Sequence, residues 1–411
     1  MPLFLVLALI ASACIADEVP SGEAGQPADT SMGVLRSGAI TTTTAEPVTT
    51  STIDQPAALL ESLTVEQKVG QLLMPLVAGT SEDGLTASER SFNRRTFGVE
   101  TPAEATAALH LGGVIYLQDN IRSAVQVGQL SADLQEAALD AVGIGMLIAV
   151  DQEGGRVSRL TDGVTVLPPA ALLAGDEATV EEAGYLTGRQ VAGQGVNMVL
   201  APVADLTWAG SRGAIGNRSF GDDPALVSSM VRASIAGLQA SGVAAVVKHW
   251  PGHGATEVDS HDSLPTLTIG EAEWENRDRI PFEAAIDEQV DAVLIGHLTL
   301  PSVDPSGEPA TTSSVLVQKK LRDELGFDGV VITDALNMGA VGGYDPDQLA
   351  VDAVNAGVDI ILMPLNPAGA HAAMVAAVQS GEISEEQLDA AVLRVLRLKD
   401  RLGLVSVERI S

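Results

Sequence analysis

From Leu59 onward, short apolar runs bounded by glycine, proline or a polar residue alternate with longer stretches rich in Ala, Glu and Gln whose apolar positions recur at helical spacing. The runs predict strands at 69–77, 113–117, 145–150, 197–201, 244–249, 292–297, 329–333 and 359–363. Helices are predicted between them, among them 123–141, 224–241, 270–289 and 314–325, with a closing helix near 384–401. Apolar strands joined by helical crossovers require a parallel sheet covered on both faces. The expected fold class is therefore α/β, and eight such strands close as a single (β/α)8 barrel of the TIM type. A doubly wound open sheet is the alternative, weakened by the lack of a G-x-G-x-x-G turn after a first strand.

The pattern before Leu59 is different. Residues 3–16 (LFLVLALIASACIA) are apolar but too short for a hydrocarbon layer of about 30 Å, so they read as a signal h-region. Cys14 follows Ala11, Ser12 and Ala13, small residues as in a lipobox, although no Lys or Arg precedes the apolar run. The expectation is a signal peptide over 1–16 with Cys14 lipidated, giving an extracytoplasmic lipoprotein that meets the membrane only through its anchor. A plain secretory cleavage is the other reading. Residues 17–56 are rich in Thr, Ser, Gly, Pro and acid, with seven threonines between Thr41 and Thr52. Such a segment lacks the apolar surface to offset the entropy of ordering and is expected to be a disordered tether. As a flexible coil it would reach about 35 Å. The folded unit is then expected over 57–411.

Composition narrows the function classes. The 411 residues carry a net charge of -31, and acid in that excess repels phosphate backbones, so no nucleic-acid partner is expected. A single cysteine excludes internal disulfides and multi-cysteine metal sites. No cofactor or metal is expected, and the chain is expected to act as a monomer.

In a barrel, functional side chains collect where strands end and βα loops begin. Five strand ends carry a polar or ionisable residue: Asp151, Asp205, Lys248 with His249, His297 and Asp334. Any one could be a hydrogen-bonded structural residue; five at the same end argue for a polar recess. The segment DQEGGRVSR places an acid at a strand end, two turn-forming glycines and two arginines, suited to gripping hydroxyls. For Glu153 and Arg156 a loop-bracing ion pair is the preferred reading. Arg218, in GNRSFG, suits a ligand clamp and a bracing salt bridge equally, and Asp334 could be an N-cap.

The densest signal is KHWPGHGATEVDSH, residues 248–261, which holds three of the six histidines. Three readings stay open. His249 and His253 could bind a metal, though Pro251, Gly252 and Gly254 disfavour the helix that would align them. The loop could be structural. Or Asp259 and His261, two apart in an extended segment, form an acid/base pair in which the carboxylate orients the imidazole.

Taken together, KHWPGHG with DSH, VDQEGGRVSRL, the RSFG segment and VVITDAL resemble the motifs of the family 3 glycoside hydrolases, in the NagZ-like bacterial β-N-acetylglucosaminidase branch. The resemblance covers residues 57–405, with Trp250 where Phe is usual and Ala255 where Asp is often found. It implies Asp334 as nucleophile, His261 as general acid/base and Asp259 as its partner. It further implies that Asp151, Arg159, Arg218, Lys248 and His249 hold a terminal N-acetylglucosamine. The implied activity is exo-acting retaining cleavage of β-linked N-acetylglucosamine from cell-wall or muropeptide glycans. The scarcity of Trp and Tyr agrees with a pocket for one sugar rather than a long stacking cleft. Phosphorolysis, a metal-dependent barrel hydrolase using His249, His297 and Asp334, and a glycan-binding protein without turnover remain as alternatives.

Overall fold

The computed structural model describes residues 54–208 and 215–405. The expected signal segment with Cys14, and the tether up to Ile53, lie outside the described residues.

Each of the eight apolar runs contains a strand. Among the described residues there are ten strands: β1 Leu73–Met74, β2 Gly113–Tyr116, β3 Leu147–Val150, β4 Gln152–Gly154, β5 Val157–Ser158, β6 Met198–Val199, β7 Ala244–Trp250, β8 Ala292–Ile295, β9 Val330–Thr333 and β10 Ile361–Leu362. A parallel six-stranded sheet runs in the order β2-β3-β6-β7-β8-β9, and β1 pairs in parallel with β10. An isolated parallel bridge between Ile332 and Ile360 joins β9 to the start of β10, and the Ile115 amide donates to Pro75 O beside β1. The strands β4 and β5 form a small antiparallel hairpin leaving β3.

Sequence chemistry explains the elements. Asp223 caps the helix Pro224–Ala240, with proline in its first turn, and Val227, Met230, Val231, Ile235 and Leu238 form its buried stripe. Its neighbour Glu177–Ala192 approaches very closely: a Cβ on Gly237 would fall 2.1 Å from Glu181 O. β7 is buried along its whole length, as a strand covered on both faces must be.

Three expectations need correction. Residues 69–71 are the end of the helix Val65–Gln71, nucleated by a capping box between Thr64 and Gln67, so only Leu73 and Met74 of that run are extended. The helix expected over 270–289 is two, Glu271–Glu275 and Ile280–Asp287, because Pro281 opens a first turn and cannot sit inside a continuous helix. Residues 54–56 belong to the folded unit rather than the tether, since Asp54 caps the helix Gln55–Ser62 and Pro56 is buried in it. Among the described residues, no helix is long and apolar enough to cross a membrane.

Candidate active site

Three of the five polar strand ends, those carrying Asp151, Lys248 with His249, and Asp334, meet in one place, whereas Asp205 and His297 do not line it. Two recesses, of about 130 and 230 Å³, share Asp151, Arg159, Lys248, His249, His261 and Asp334 as lining residues. Asp259, Glu153 and Arg218 complete the wall of the first.

Lys248 and His249 are consecutive on β7, and successive strand side chains ordinarily point to opposite faces. The β7–β8 register shifts between Lys248 and Trp250, leaving His249 as the extra residue, and this bulge lets both side chains line the recess. Lys248 Nζ lies 2.7 Å from both Asp151 Oδ1 and Glu153 Oε1. Arg218 grips Glu153 with two parallel 2.8 Å hydrogen bonds from Nε and Nη2. Burial alone would push the Glu153 carboxyl up, but Lys248 and Arg218 outweigh it and hold the group at about 2. Burial likewise works against the Lys248 ammonium, and Asp151 and Glu153 more than reverse it, so the lysine stays charged. The loop-bracing reading of Glu153 therefore holds, and Arg218 braces and lines the recess at once.

Asp205, fully buried beyond β6, organises the root of the histidine loop. Its Oδ2 lies 2.6 Å from His249 Nδ1, and its Oδ1 accepts a 2.6 Å hydrogen bond from the His253 backbone amide. His249 Nε2 is 3.4 Å from Arg218 Nη2. The carboxylate beside Nδ1 assigns a proton to that nitrogen, directed at Asp205, while Nε2 faces the arginine. His253 Nδ1 meets Thr256 Oγ1 at 2.6 Å, and its Nε2 meets Ser260 Oγ at 3.0 Å. His297 is engaged at both nitrogens, with Thr311 Oγ1 at 2.6 Å and Ala335 O at 3.1 Å. A metal reading of His249, His253 and His297 thus needs lone pairs that the protein already uses. Among the described residues, no group of three or more His, Cys, Asp or Glu could hold a metal ion.

Asp334 leaves the C-terminal end of β9 and accepts the Ala335 amide on Oδ1 at 2.8 Å. No helix follows at once, so it is not an N-cap. Burial raises its carboxyl, but His297, His249, the Ala335 amide and Lys248 together leave it below the usual carboxylate range. It is an ionised, half-buried carboxylate facing a polar recess.

Asp259 Oδ1 lies 2.8 Å from His261 Nδ1 and also accepts the His261 backbone amide at 3.0 Å. The expected pair is formed, but in a turn rather than an extended segment, since the Asp262 and Ser263 amides donate to Asp259 O. The His261 side chain is 72% exposed, with Nδ1 turned to the carboxylate. Arg159 contributes a different signal: its Nε is buried and has no hydrogen-bond partner. A donor held that way beside Asp334 and Asp151 is poised for an acceptor brought by a ligand. The positions of Asp205 and His253 beside the catalytic-type residues followed from the sequence, but their anchoring contacts did not.

Residues 64–398 match the family model described as the glycosyl hydrolase family 3 N terminal domain. A beta-hexosaminidase of Xylella fastidiosa is 40% identical over 262 residues, covering 62% of this chain and 76% of the relative. A beta-hexosaminidase of Stenotrophomonas maltophilia is 38% identical over 301 residues, 71% of this chain and 83% of the relative. Among solved structures, a family 3 β-N-acetylglucosaminidase from Paenibacillus sp. superposes with a TM-score of 0.77 at 40% identity over 84% of this chain. The present chain spans 63% of the length of that protein. A β-N-acetylhexosaminidase from Beutenbergia cavernae gives a TM-score of 0.74 at 31% identity, with 82% of this chain and 99% of that one covered.

Proposed function

The chain belongs to glycoside hydrolase family 3, and from that premise we propose that it is an exo-acting, retaining β-N-acetylglucosaminidase with Asp334 as nucleophile and His261 as acid/base. The observation that carries this reading is the pairing, in one recess, of an ionised carboxylate at a strand end with an imidazole whose Nδ1 is held by a second carboxylate.

In the first step an Asp334 carboxylate oxygen attacks the anomeric carbon of a terminal β-linked N-acetylglucosamine. The C1–O bond to the leaving sugar breaks, and His261 Nε2 gives its proton to the departing oxygen. In the second step His261 Nε2 takes a proton from water, the hydroxide oxygen bonds to C1, and Asp334 leaves as a carboxylate. Two inversions at C1 return the β anomer. Asp259 keeps the Nδ1 side of the ring occupied, so Nε2 is the atom that works. Asp151 accepts from sugar hydroxyls, while Arg159, Lys248 and His249 line the same wall, and Arg218 fixes it through Glu153. The small recess and the chain's few aromatic residues favour one terminal sugar over an extended chain.

The same reading extends to the frame and the setting. The eight parallel strands close as a (β/α)8 barrel, supported by the Ile332–Ile360 bridge, the β1–β10 pair and the Ile115-to-Pro75 hydrogen bond. Cys14, after three small residues, anchors an extracytoplasmic monomeric lipoprotein, and its substrate is a cell-wall or muropeptide glycan end. The test of the core reading is turnover of an aryl β-N-acetylglucosaminide. Asp334→Ala is expected to lower kcat by at least about 10³-fold, the scale for losing a covalent nucleophile, with the thermal transition kept. Comparable activity in that variant would overturn the assignment.

A further inference from the structure

The loop that carries His261 is fixed unevenly. Its root is locked: Trp250 Nε1 donates to Leu316 O at 3.0 Å, Trp274 Nε1 donates to Pro251 O at 2.9 Å, and a Cβ on Gly254 would fall 1.5 Å from Leu206 O. Its tip, from Glu257 to Ser263, is exposed except at Asp259 and Ser260. The tip is nevertheless tied twice to the segment leaving β9, the one that begins with Asp334. The Gly339 amide donates to His261 O at 3.1 Å, and the Ala340 amide donates to Ser260 O at 3.1 Å.

These bonds need the two backbones almost in contact. A Cβ at position 339 would lie 2.6 Å from His261 O, 2.7 Å from Asp262 O and 2.9 Å from Asp262 C. All three are backbone atoms, which cannot swing aside as a side-chain end can. Gly339 does not have a positive φ, so its glycine serves space and not backbone conformation. Ser260 adds a third tether, since its hydroxyl meets His253 Nε2 while the Asp205 carboxylate holds the His253 amide.

We propose that Gly339, through its missing side chain and the paired amides of Gly339 and Ala340, is a positioning residue that sets His261 at its working distance from Asp334. This deepens the proposed function and rests on it. The nucleophile and the acid/base arrive on different strand ends, and the only direct backbone tie between their two loops runs through residues 339 and 340 among the described residues. The imidazole can then be exposed and free to pass a proton while its main chain is held.

The reacting step that depends on His261 gives a specific readout. Protonation matters for a poor leaving group such as a second sugar, and hardly at all for dinitrophenolate. In Gly339→Ala, kcat/KM for a β-1,4-linked N-acetylglucosamine disaccharide is expected to fall about 30-fold or more, within the range that general acid catalysis supplies, and for the dinitrophenyl glycoside less than about 3-fold. With the dinitrophenyl substrate, kcat and KM should fall together, because water attack on the glycosyl-enzyme becomes slow. Ala340→Pro, which removes one amide donor and puts its ring Cδ against Ser260 O, should give the same split, and His261→Ala marks its limit. Equal losses on both substrates, or none on either, in a variant of parental melting temperature would overturn the proposal. Hydrogen exchange on the unaltered protein checks the tie without any substitution: the Gly339 and Ala340 amides should be protected together, and rapid exchange at both would overturn it. Were the unaltered protein to turn over neither substrate, the functional reading would fail, while the exchange result would still decide whether the tie exists.

Discussion

Lys248 and Arg218 are both withdrawn from water, and Glu153 is the anion they share. Replacing it with the near-isosteric amide keeps the shape and removes the charge, leaving Arg218 facing no carboxylate at bonding distance. Removing one partner of a buried ion pair costs about 3–5 kcal/mol because the other charge stays buried. Glu153→Gln is expected to lose stability on that scale and to raise KM, measured by urea unfolding and initial rates; an unchanged unfolding midpoint would contradict this account. The sequence made Glu153, Lys248 and Arg218 visible as polar residues on strand ends and loops, and it could pair Asp259 with His261 because they are two positions apart. It could not pair Glu153 with Arg218, which are 65 residues apart, or give Asp205 its role. Those contacts exist only once several strands have brought their ends together.

At the scale of elements, the closing helix Glu385–Arg401 was read with nearly its observed bounds, because Ser384 caps it and its apolar residues recur along one stripe. Lys399 breaks that stripe. It is completely buried, and its Nζ donates to the neutral Gln71 Oε1 at 2.6 Å. Burial pushes its ammonium down to about 7, from an ordinary value of 10.5. A base depressed in the folded state destabilises the fold wherever the unfolded chain is protonated. The cost is full below pH 7, shrinks between pH 7 and 10.5, and vanishes above. Lys399→Met is therefore expected to raise stability by about 1–3 kcal/mol at pH 7, after allowing for the lost hydrogen bond to Gln71, with the advantage shrinking toward pH 10. Thermal unfolding of both proteins across that range checks it, and a less stable variant at pH 7 would contradict it. The elements misread from sequence share a cause: a capping box at Thr64 and a proline at 281 are local signals that overrode a longer apolar pattern.

For the molecule as a whole, the alternation of apolar runs and helical stretches carried the architecture, since a parallel sheet covered by helices must repeat that pattern. Its sheet is observed as a run of six strands, with the remaining pair, β1 and β10, too short for the pattern to have specified their register. The excess of acid lies outside the recess, whose few basic groups sit against Asp151, Glu153 and Asp334, so the charge that dominates the composition says little about the chemistry. The proposed chemistry turns on one bond, between an Asp334 oxygen and an anomeric carbon. Protein quenched in acid during turnover of an activated aryl N-acetylglucosaminide, digested and mapped by mass spectrometry, tests it directly. One N-acetylhexosamine residue is expected on the peptide containing Asp334. Steady turnover with no adduct, or with the sugar on another peptide, would contradict it.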